Sequence, residues 1–264
     1  MASEDLSTAI RAALRTADPR AKVMATRALV RRWRKGELAH AFSVTMPDRP
    51  AWPDYLELRP PGQMPKRGKG GSDRNRQALW HSLAHIEFVA IDLALDMAGR
   101  FGGAMGRAFV GDFLSVAADE ALHFALVDRK LHSMGLRYGD LPAHDGLWAS
   151  AQATAHDVAA RLAVVPMVLE ARGLDVTPAM IERVRAQGDE HGSRILERIL
   201  DDEIRHVAVG ARHFKDWCHK AAVPTDSAWI SLVKEHFAGV VKPPFNDSAR
   251  LAAGLSRTAY GALA

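Results

Sequence analysis

The chain has 264 residues, of which 48% are hydrophobic, and a formal net charge of +4 at pH 7. Most domains contain ~100 to 200 residues, so this length allows one sizeable core domain with extensions. The first residues are polar, and the longest apolar stretch near the middle, residues 162–169, is too short to cross a bilayer. Cys218 is the single cysteine, which excludes an internal disulfide and a thiolate zinc site. We therefore expect a soluble, cytoplasmic protein that does not enter a membrane.

Residues 1–75 are predicted to form an N-terminal extension. Alanine, leucine and arginine dominate residues 4–16 and 20–39, which predicts two helices separated by Pro19. Six prolines between residues 46 and 71 predict an irregular wrap or linker. Two basic runs lie here, Arg27 to Lys35 and Lys66 to Arg76. Such runs are typical of a solvated surface, and contact with nucleic acid is the alternative.

The core domain, residues 76–220, is predicted to be all-α, because apolar stripes recur at helical spacing. Pro166 predicts a kink in its third helix, and a second segment, residues 178–187, should continue that helix until the chain reverses at Gly188. Residues 221–264 form a C-terminal extension with another helix and a break at Pro243 and Pro244. The predicted helices are residues 76–100, ended by Gly99, Gly102 and Gly103, residues 107–134, residues 145–172 with an interruption at 173–178, and residues 189–219. A connection of crossover length, residues 135–146, joins the second helix to the third.

Two of these helices carry the pattern Glu-x-x-His, in Glu120 to His123 and in Glu203 to His206. Residues three apart share a face of a helix, so each pair can offer a carboxylate and an imidazole to one ion. The flanking residues on the same face are apolar, so the ligand face is also the core face. Buried Glu and His are costly unless they are paired or bound to metal, and the pattern therefore predicts a cation.

Glu87 on the first helix and Glu170 on the third also lie on apolar stripes. Glu87 precedes Glu120 by 33 residues and Glu170 precedes Glu203 by 33, so a two-helix unit occurs twice. A Glu from each of two helices and Glu-x-x-His from the other two is the inward-facing ligand set of the di-iron carboxylate bundles. The sequence thus predicts a ferritin-like four-helix bundle with a crossover between helices 2 and 3. Its six predicted metal ligands are Glu87, Glu120, His123, Glu170, Glu203 and His206.

Five segments of the chain carry a resemblance to a known family that covers about residues 60 to 250. The five segments are Ala84-His85-Ile86-Glu87, Asp119-Glu120-Ala121-Leu122-His123-Phe124, His144-Asp145-Gly146-Leu147-Trp148, the stretch from Leu169 to Pro178, and Pro244-Phe245-Asn246. Through them the chain resembles a family of ferritin-like proteins that is classified as a domain of unknown function. The chain is also distantly similar to the di-iron hydroxylase that modifies a tRNA nucleoside, which shares the bundle and the six ligand types.

Two functions fit this ligand set. The first is a non-haem di-iron oxidoreductase that activates dioxygen to hydroxylate or oxidise an organic substrate, and the alternative is iron binding or detoxification without an organic substrate. Oxygen and imidazole ligands suit two Fe ions, with Mn or a mixed Mn/Fe pair possible and Zn not excluded. Catalytic groups beyond the ligands are not identified. Expected partners are dioxygen, a small-molecule substrate, tRNA or another nucleic acid as the second choice of substrate, and an electron-donor protein.

Three further residues are candidates for orienting the ligands. Asp119 and Asp202 each precede a ligand His by four residues and can accept its ring N–H, although exposed helix acids would look the same. His85 pairs with His81 at i, i+4 on the first helix, where a third metal or hydrogen-bonded core histidines are the two interpretations. Small residues near the ligands, such as Ala84 and Gly210, indicate either a pocket for dioxygen and substrate or close helix packing.

Overall fold

A computed structural model describes residues 4–64 and 72–264, and over these residues the protein is all-helical apart from two very short strands. The chain divides into two compact units, Met1–Trp148 and Ala149–Ala264. Most of the second basic run, from Lys66 to Gly71, lies outside the described residues. The helices are α1 (Leu6–Leu14), α2 (Pro19–Arg34), α3 (Asp73–Met105), α4 (Arg107–Ser133), α5 (Gly146–Ala153), α6 (Val158–Val164), α7 (Ala171–Ala186), α8 (Glu190–Lys220), α9 (Thr225–His236), α10 (Asp247–Ala252) and α11 (Arg257–Gly261), with a 3₁₀ turn at Pro61–Gln63 and a π-helical segment at Val165–Glu170.

In the first unit, α3 packs along α4, while α1 packs on α3 and α2 packs on α4. The two predicted N-terminal helices are present but shorter than predicted. Pro19 does not separate them but is the first residue of α2, where its missing N–H costs no hydrogen bond, and Asp18 caps the helix. After α2 the chain turns back, and β2 (Leu38–Ala39) pairs in parallel with β1 (Glu4–Asp5).

The prediction that three glycines end the first core helix at Arg100 is wrong, because α3 continues to Met105. A Cβ atom at Gly99 would lie 2.4 Å from Met46 Sδ, and one at Gly102 would lie 2.8 Å from Phe42 Cζ. These glycines therefore let Met46 at the start of the proline-rich wrap and Phe42 just before it approach the helix closely. The helix ends instead at Gly106, whose φ of 91° lies in the left-handed region that favours glycine.

A fully buried ion pair fixes the wrap to the helices. Lys22 Nζ lies 2.5 Å from Asp92 Oδ1, and neither side chain is exposed. Lys22 Nζ also donates to the carbonyl of Ala51, and Trp52 Nε1 donates to Asp92 Oδ2. Burial lowers the pKa of Lys22, and burial raises the pKa of Asp92 to about 6 although Lys22 opposes that shift. Removal of one partner would leave an uncompensated buried charge, so the pair locks α2, α3 and the wrap into one arrangement.

The histidine pair on α3 holds the connection that follows α4. His81 Nε2 accepts hydrogen bonds from the backbone N–H groups of Gly139 and Leu141. His85 Nδ1 lies 2.9 Å from the Tyr138 hydroxyl, and its Nε2 lies 3.0 Å from the carbonyl oxygen of His144. Both rings are therefore hydrogen-bonded core histidines, and the interpretation of this pair as a third metal site is wrong.

In the second unit, the third predicted helix is divided differently from the prediction. The chain breaks between Ala153 and Val158, where Asp157 caps α6. Pro166 lies in the π-helical segment and produces an altered helical turn rather than a simple kink. Residues 173–178 do not interrupt the helix, since α7 runs through Pro178 to Ala186. The predicted reversal at Gly188 is confirmed, because α7 packs against α8 and Gly188 has a φ of 77°.

One helix of the described residues, α3, is long and apolar enough to cross a membrane by length and composition. The sequence had not predicted such a segment. However, 78% of its apolar window is buried inside the protein, as in the core helix of a soluble protein. The finding is consistent with a soluble protein.

We predict that His81 makes the protein less stable at acidic pH. Burial lowers the pKa of His81 to about 4, so between pH 6.5 and pH 4 the unfolded chain binds more protons than the folded chain. The free energy of unfolding should fall as the pH drops through this range and be fully retained above it. In His81→Gln, whose side-chain oxygen can still accept from the backbone, the melting temperature should depend less steeply on pH. Equal slopes for both proteins would contradict the prediction.

Candidate metal centre

Three of the predicted ligands lie together between α3 and α4. His123 Nδ1 lies 3.3 Å from Glu87 Oε2 and 3.3 Å from Glu120 Oε2. The ligand atoms of all three residues lie within 4.8 Å of one another. All three residues are buried, with exposed fractions of 3% for Glu87 and 0% for the other two. The predicted pairing of Glu87 with the Glu-x-x-His of the next helix is therefore present in the first unit.

The length of α3 determines which ligands on α3 and α4 lie at a similar distance from the turn that joins the two helices. Glu87 precedes Met105, the last residue of α3, by 18 residues, and His123 follows Arg107, the first residue of α4, by 16. At 1.5 Å per residue these positions are ~27 Å and ~24 Å from the turn, whereas Glu120 is only ~20 Å from it. Along the helix axes, the distance of Glu87 from the turn is therefore closest to that of His123. Glu120 lies about one helical turn away from this level, and the Glu87 side chain still approaches it. If α3 had ended at Arg100, as its glycines predicted, Glu87 and Glu120 would each have been 13 residues from the ends that face the turn and so at the same distance from it.

The chemistry of this donor set fits a metal ion. Two carboxylates approach one imidazole nitrogen in a buried site, and burying two such negative groups side by side is costly unless a cation neutralises them. Ligand atoms held at about 2.1 Å from a shared ion lie roughly 3.0 Å apart at a right angle and about 3.4 Å apart at a tetrahedral angle. The two measured distances of 3.3 Å fall in that range. Glu87, Glu120 and His123 form a buried cluster that could hold a metal ion.

The second unit repeats the same local arrangement on α8. His206 Nδ1 lies 3.6 Å from Glu203 Oε1, and both side chains are largely buried. The Nδ1 atom faces the glutamate three residues earlier, as it does in His123. Glu170 is half-buried and is the last residue of the π-helical segment, which packs against α8. Short π-helical segments are often found at functional sites, because the extra residue per turn redirects a side chain.

The residues predicted to orient the ligands have different surroundings. Asp202 is buried and accepts hydrogen bonds from Arg198 at 2.6 Å and from Arg205. Asp119 is half-buried on α4. In the part of the chain that the structure describes, the ring nitrogens of His85 contact Tyr138 and the carbonyl of His144 rather than a predicted ligand. For the two aspartates this role stays a prediction.

Tyr138 was not expected to contribute to the core around the ligands. Its ring packs on Phe88 and Phe124, with ring centroids 5.2 Å and 5.4 Å away, and these residues directly follow Glu87 and His123 in sequence. Burial raises the pKa of its hydroxyl, which bonds to His85. No local pattern around Tyr138 could have indicated this contact, since it lies in the connection.

Comparison with known proteins places the chain in a family. The model of the family described as "Protein of unknown function (DUF455)" matches residues 15–261, which include all six predicted ligands. The chain belongs to the DUF455 family. A protein of Haemophilus influenzae, described as an uncharacterized protein, is 41% identical to this DUF455 chain over 213 residues, covering 78% of this chain and 74% of the relative. No solved structure matches the chain significantly.

In this DUF455 protein, Gly210 sets the distance between α8 and the π-helical segment. A Cβ atom at this position would lie 2.4 Å from both Cβ and Cγ of Pro166, a contact that a rigid proline ring cannot relieve. Close packing, rather than an open pocket, therefore explains Gly210. Glycine in the middle of a helix costs about 0.5–1 kcal/mol relative to alanine, so its presence here reflects the need for close approach. Ala84 is completely buried.

We predict that Gly210→Ala destabilises the protein by about 1–3 kcal/mol, the usual cost of overpacking a core. Gly173→Ala is the matched control, because Gly173 lies inside α7 and a Cβ atom there meets nothing within 4 Å. The control should leave stability unchanged or raise it by up to ~1 kcal/mol through helix propensity. Urea unfolding of the three proteins measures the difference. Equal stability of the two variants would show that Pro166 does not pack tightly on α8.

Proposed function

We propose that this chain is a ferritin-like protein in which the six predicted ligands bind two iron ions, and that it is an oxygen-activating oxidoreductase. The observation that supports it most strongly is the convergence of Glu87 and Glu120 on His123 Nδ1 in a buried site. The second Glu-x-x-His, with the same Nδ1 orientation on α8, indicates that a second ion uses the same local chemistry. The remaining carboxylate, Glu170, completes the ligand set of the di-iron carboxylate bundles.

The residues of the chain have distinct parts in this proposal. Glu87, Glu120 and His123 of the first unit would provide ligands for one ion, and Glu170, Glu203 and His206 of the second unit would provide ligands for the other. The apolar residues around the ligands, such as Phe88 and Phe124, exclude water, which strengthens the electrostatic interactions at the site. Bound iron would supply the reduction of dioxygen coupled to oxidation of an organic substrate. The imidazoles keep their orientation because each is packed in the core beside its own glutamate.

The ligand chemistry sets the metals and partners that we propose. Carboxylates and imidazole suit Fe or Mn, and Zn fits the same ligands. A small-molecule substrate and an electron-donor protein complete the oxidoreductase proposal, with cytoplasmic localisation. The distant similarity to a tRNA hydroxylase keeps a nucleic-acid substrate as the second choice.

Iron binding or detoxification without an organic substrate is the second candidate function. The same buried glutamates and histidines would serve it. Ferritin function also needs a shell of many subunits, and the extensions at residues 1–75 and 221–264 would obstruct such packing. Light scattering that shows a large hollow shell, together with iron mineralisation, would favour this candidate over the oxidoreductase.

We predict that Glu120→Gln removes most of the iron binding. A neutral amide leaves the shape of the site intact but removes one of the negative charges that a cation requires. Anaerobic Fe(II) titration followed by exposure to air should give an absorption change and oxygen uptake in the natural chain, and neither in the variant. Less than one metal per natural chain with no spectral change would refute the proposal.

We also predict that Glu170→Gln halves metal occupancy or abolishes the oxygen reaction while helix content is retained. Glu182 offers the control, because it is the glutamate of α7, the helix that directly follows Glu170. Its side chain is 75% exposed and pairs with Arg185, so Glu182→Gln should bind metal like the natural chain. Metal analysis and circular dichroism of both variants make the comparison. Loss of metal in Glu182→Gln but not in Glu170→Gln would reverse the assignment.

A further inference from the structure

A pocket of the first unit lies beside α4, where it is lined by residues other than the ligands. Its volume is about 520 Å³, and residues of α2, α4, the wrap and the connection after α4 line it. On α4 it is lined by Phe124, Ala125, Asp128, Arg129 and His132, whereas Glu120 and His123 point toward α3. Phe124 and Tyr138 form a wall that the pocket shares with the core around the ligands, but none of the predicted ligands is among the described residues that line it. The inference that follows therefore does not rest on the proposed function.

Aromatic rings provide one wall of this pocket. The Tyr55 ring is 61% exposed, which is unusual for so large an apolar surface, and it lies against the backbone of Gly139. A Cβ atom at Gly139 would lie 2.5 Å from Cε2 and 2.6 Å from Cδ2 of Tyr55, and the φ of Gly139 is 102°, so glycine allows the edge of the ring to lie against this turn. Phe124 and Tyr138 lie deeper in the pocket. An exposed, supported ring at a pocket mouth is a stacking surface for a planar ligand.

Three arginines surround the same pocket, Arg20, Arg129 and Arg137. Within the part of the chain that the structure describes, none of their guanidinium groups has an ion partner. The two carboxylates of the pocket are already engaged: Asp18 accepts from the N–H of Ala21 at the start of α2, and Asp128 lies 3.5 Å from His132 Nδ1. Their other oxygens can still accept from an amino group. The pocket thus offers a ring, cations for an anionic group, and acceptors for N–H donors.

The basic face of α2 continues from this pocket. Arg20, Met24, Arg27 and Arg31 occur at i, i+4, i+7 and i+11 and so share one face of the helix. The three arginines are exposed, and Met24 between them is 58% exposed. At 1.5 Å per residue, Arg27 and Arg31 lie ~10 Å and ~16 Å along the axis from Arg20. In the described part of the chain Arg27 and Arg31 also have no ion partner, whereas the neighbouring Arg32 is paired with Glu4.

We infer that this surface binds a single-stranded nucleic acid, with one base stacked on Tyr55 in the pocket and the backbone following the arginines of α2. A nucleotide combines a planar ring, N–H donors on the base edge and a phosphate, which are the three groups that the pocket accommodates. A row of unpaired cations leading away from the pocket fits a chain of phosphates better than a single small anion. Base stacking on aromatic side chains and phosphate contacts with Arg are the usual means of binding single strands.

The test uses the full-length protein and fluorescein-labelled 12-nucleotide single strands of RNA and DNA, with binding followed by fluorescence anisotropy at two salt concentrations. Tyr55→Ala should weaken binding roughly 5- to 150-fold, while Tyr55→Phe, which keeps the ring, should bind like the natural chain. Arg27→Gln combined with Arg31→Gln should lower the slope of log affinity against log salt by up to about 1.4, or ~0.7 for each phosphate contact. Circular dichroism verifies that each variant is folded.

The matched control combines Arg183→Gln with Arg194→Gln, two exposed arginines of the second unit that remove the same charge. This control should keep both the affinity and the salt slope of the natural chain. A second arm uses AMP, which should bind weakly, depend on Tyr55 and be unaffected by the α2 substitutions. The inference is overturned by no oligonucleotide binding at low salt, by equal losses in the control, or by oligonucleotide affinity no higher than that of AMP.

Discussion

The arrangement of the first unit depends on the burial of two glutamates beside one histidine. Glu87 and Glu120 lie in the apolar contact between α3 and α4, and both face His123 Nδ1. Such a group of charges in a helix core costs several kcal/mol unless a cation or a proton compensates it. Hydrophobic residues of similar size would pack the same two helices at lower cost. The cluster is therefore best explained by what it binds, and the surrounding core explains how it is held.

Several local features fix the packing of the ligand-bearing helices and the positions of the ligands along them. Gly99 and Gly102 let Met46 and Phe42 lie directly on α3, and the helix continues past these glycines to Met105, which sets the distance of Glu87 from the turn. The buried Lys22 and Asp92 pair fixes α2 and the wrap to α3. In the second unit, Gly210 brings α8 against Pro166 in the segment that ends at Glu170. Each feature fixes the position of a ligand-bearing helix by close packing rather than by contact with the ligands themselves.

The sequence predicted the parts of this structure that depend on periodicity. The second and fourth core helices, the reversal at Gly188 and the pairing of Glu87 with Glu120 and His123 follow from the spacing of apolar and ligand residues. The end of α3 was missed because glycine was interpreted by its helix propensity, whereas here tertiary packing on Met46 and Phe42 overrides it.

Two further features could not be predicted from local sequence. Pro166 was interpreted as a kink, but a proline can also be accommodated by a π-helical turn, and the choice depends on what packs against it. The contacts of His81 and His85 depend on the connection after α4, which lies more than 50 residues further along the chain. The spacing of residues along one helix cannot predict such long-range contacts. For this reason the sequence left a third metal site and hydrogen-bonded core histidines as alternative interpretations.

The most direct test of the central claim is a metal analysis of the protein purified from its own host, compared with Glu120→Gln purified in the same way. We expect about two Fe or Mn ions per natural chain, as in the di-iron carboxylate bundles, and a clear loss of metal in the variant. A natural chain that carries less than one metal ion, or a variant with the same metal content as the natural chain, would contradict it.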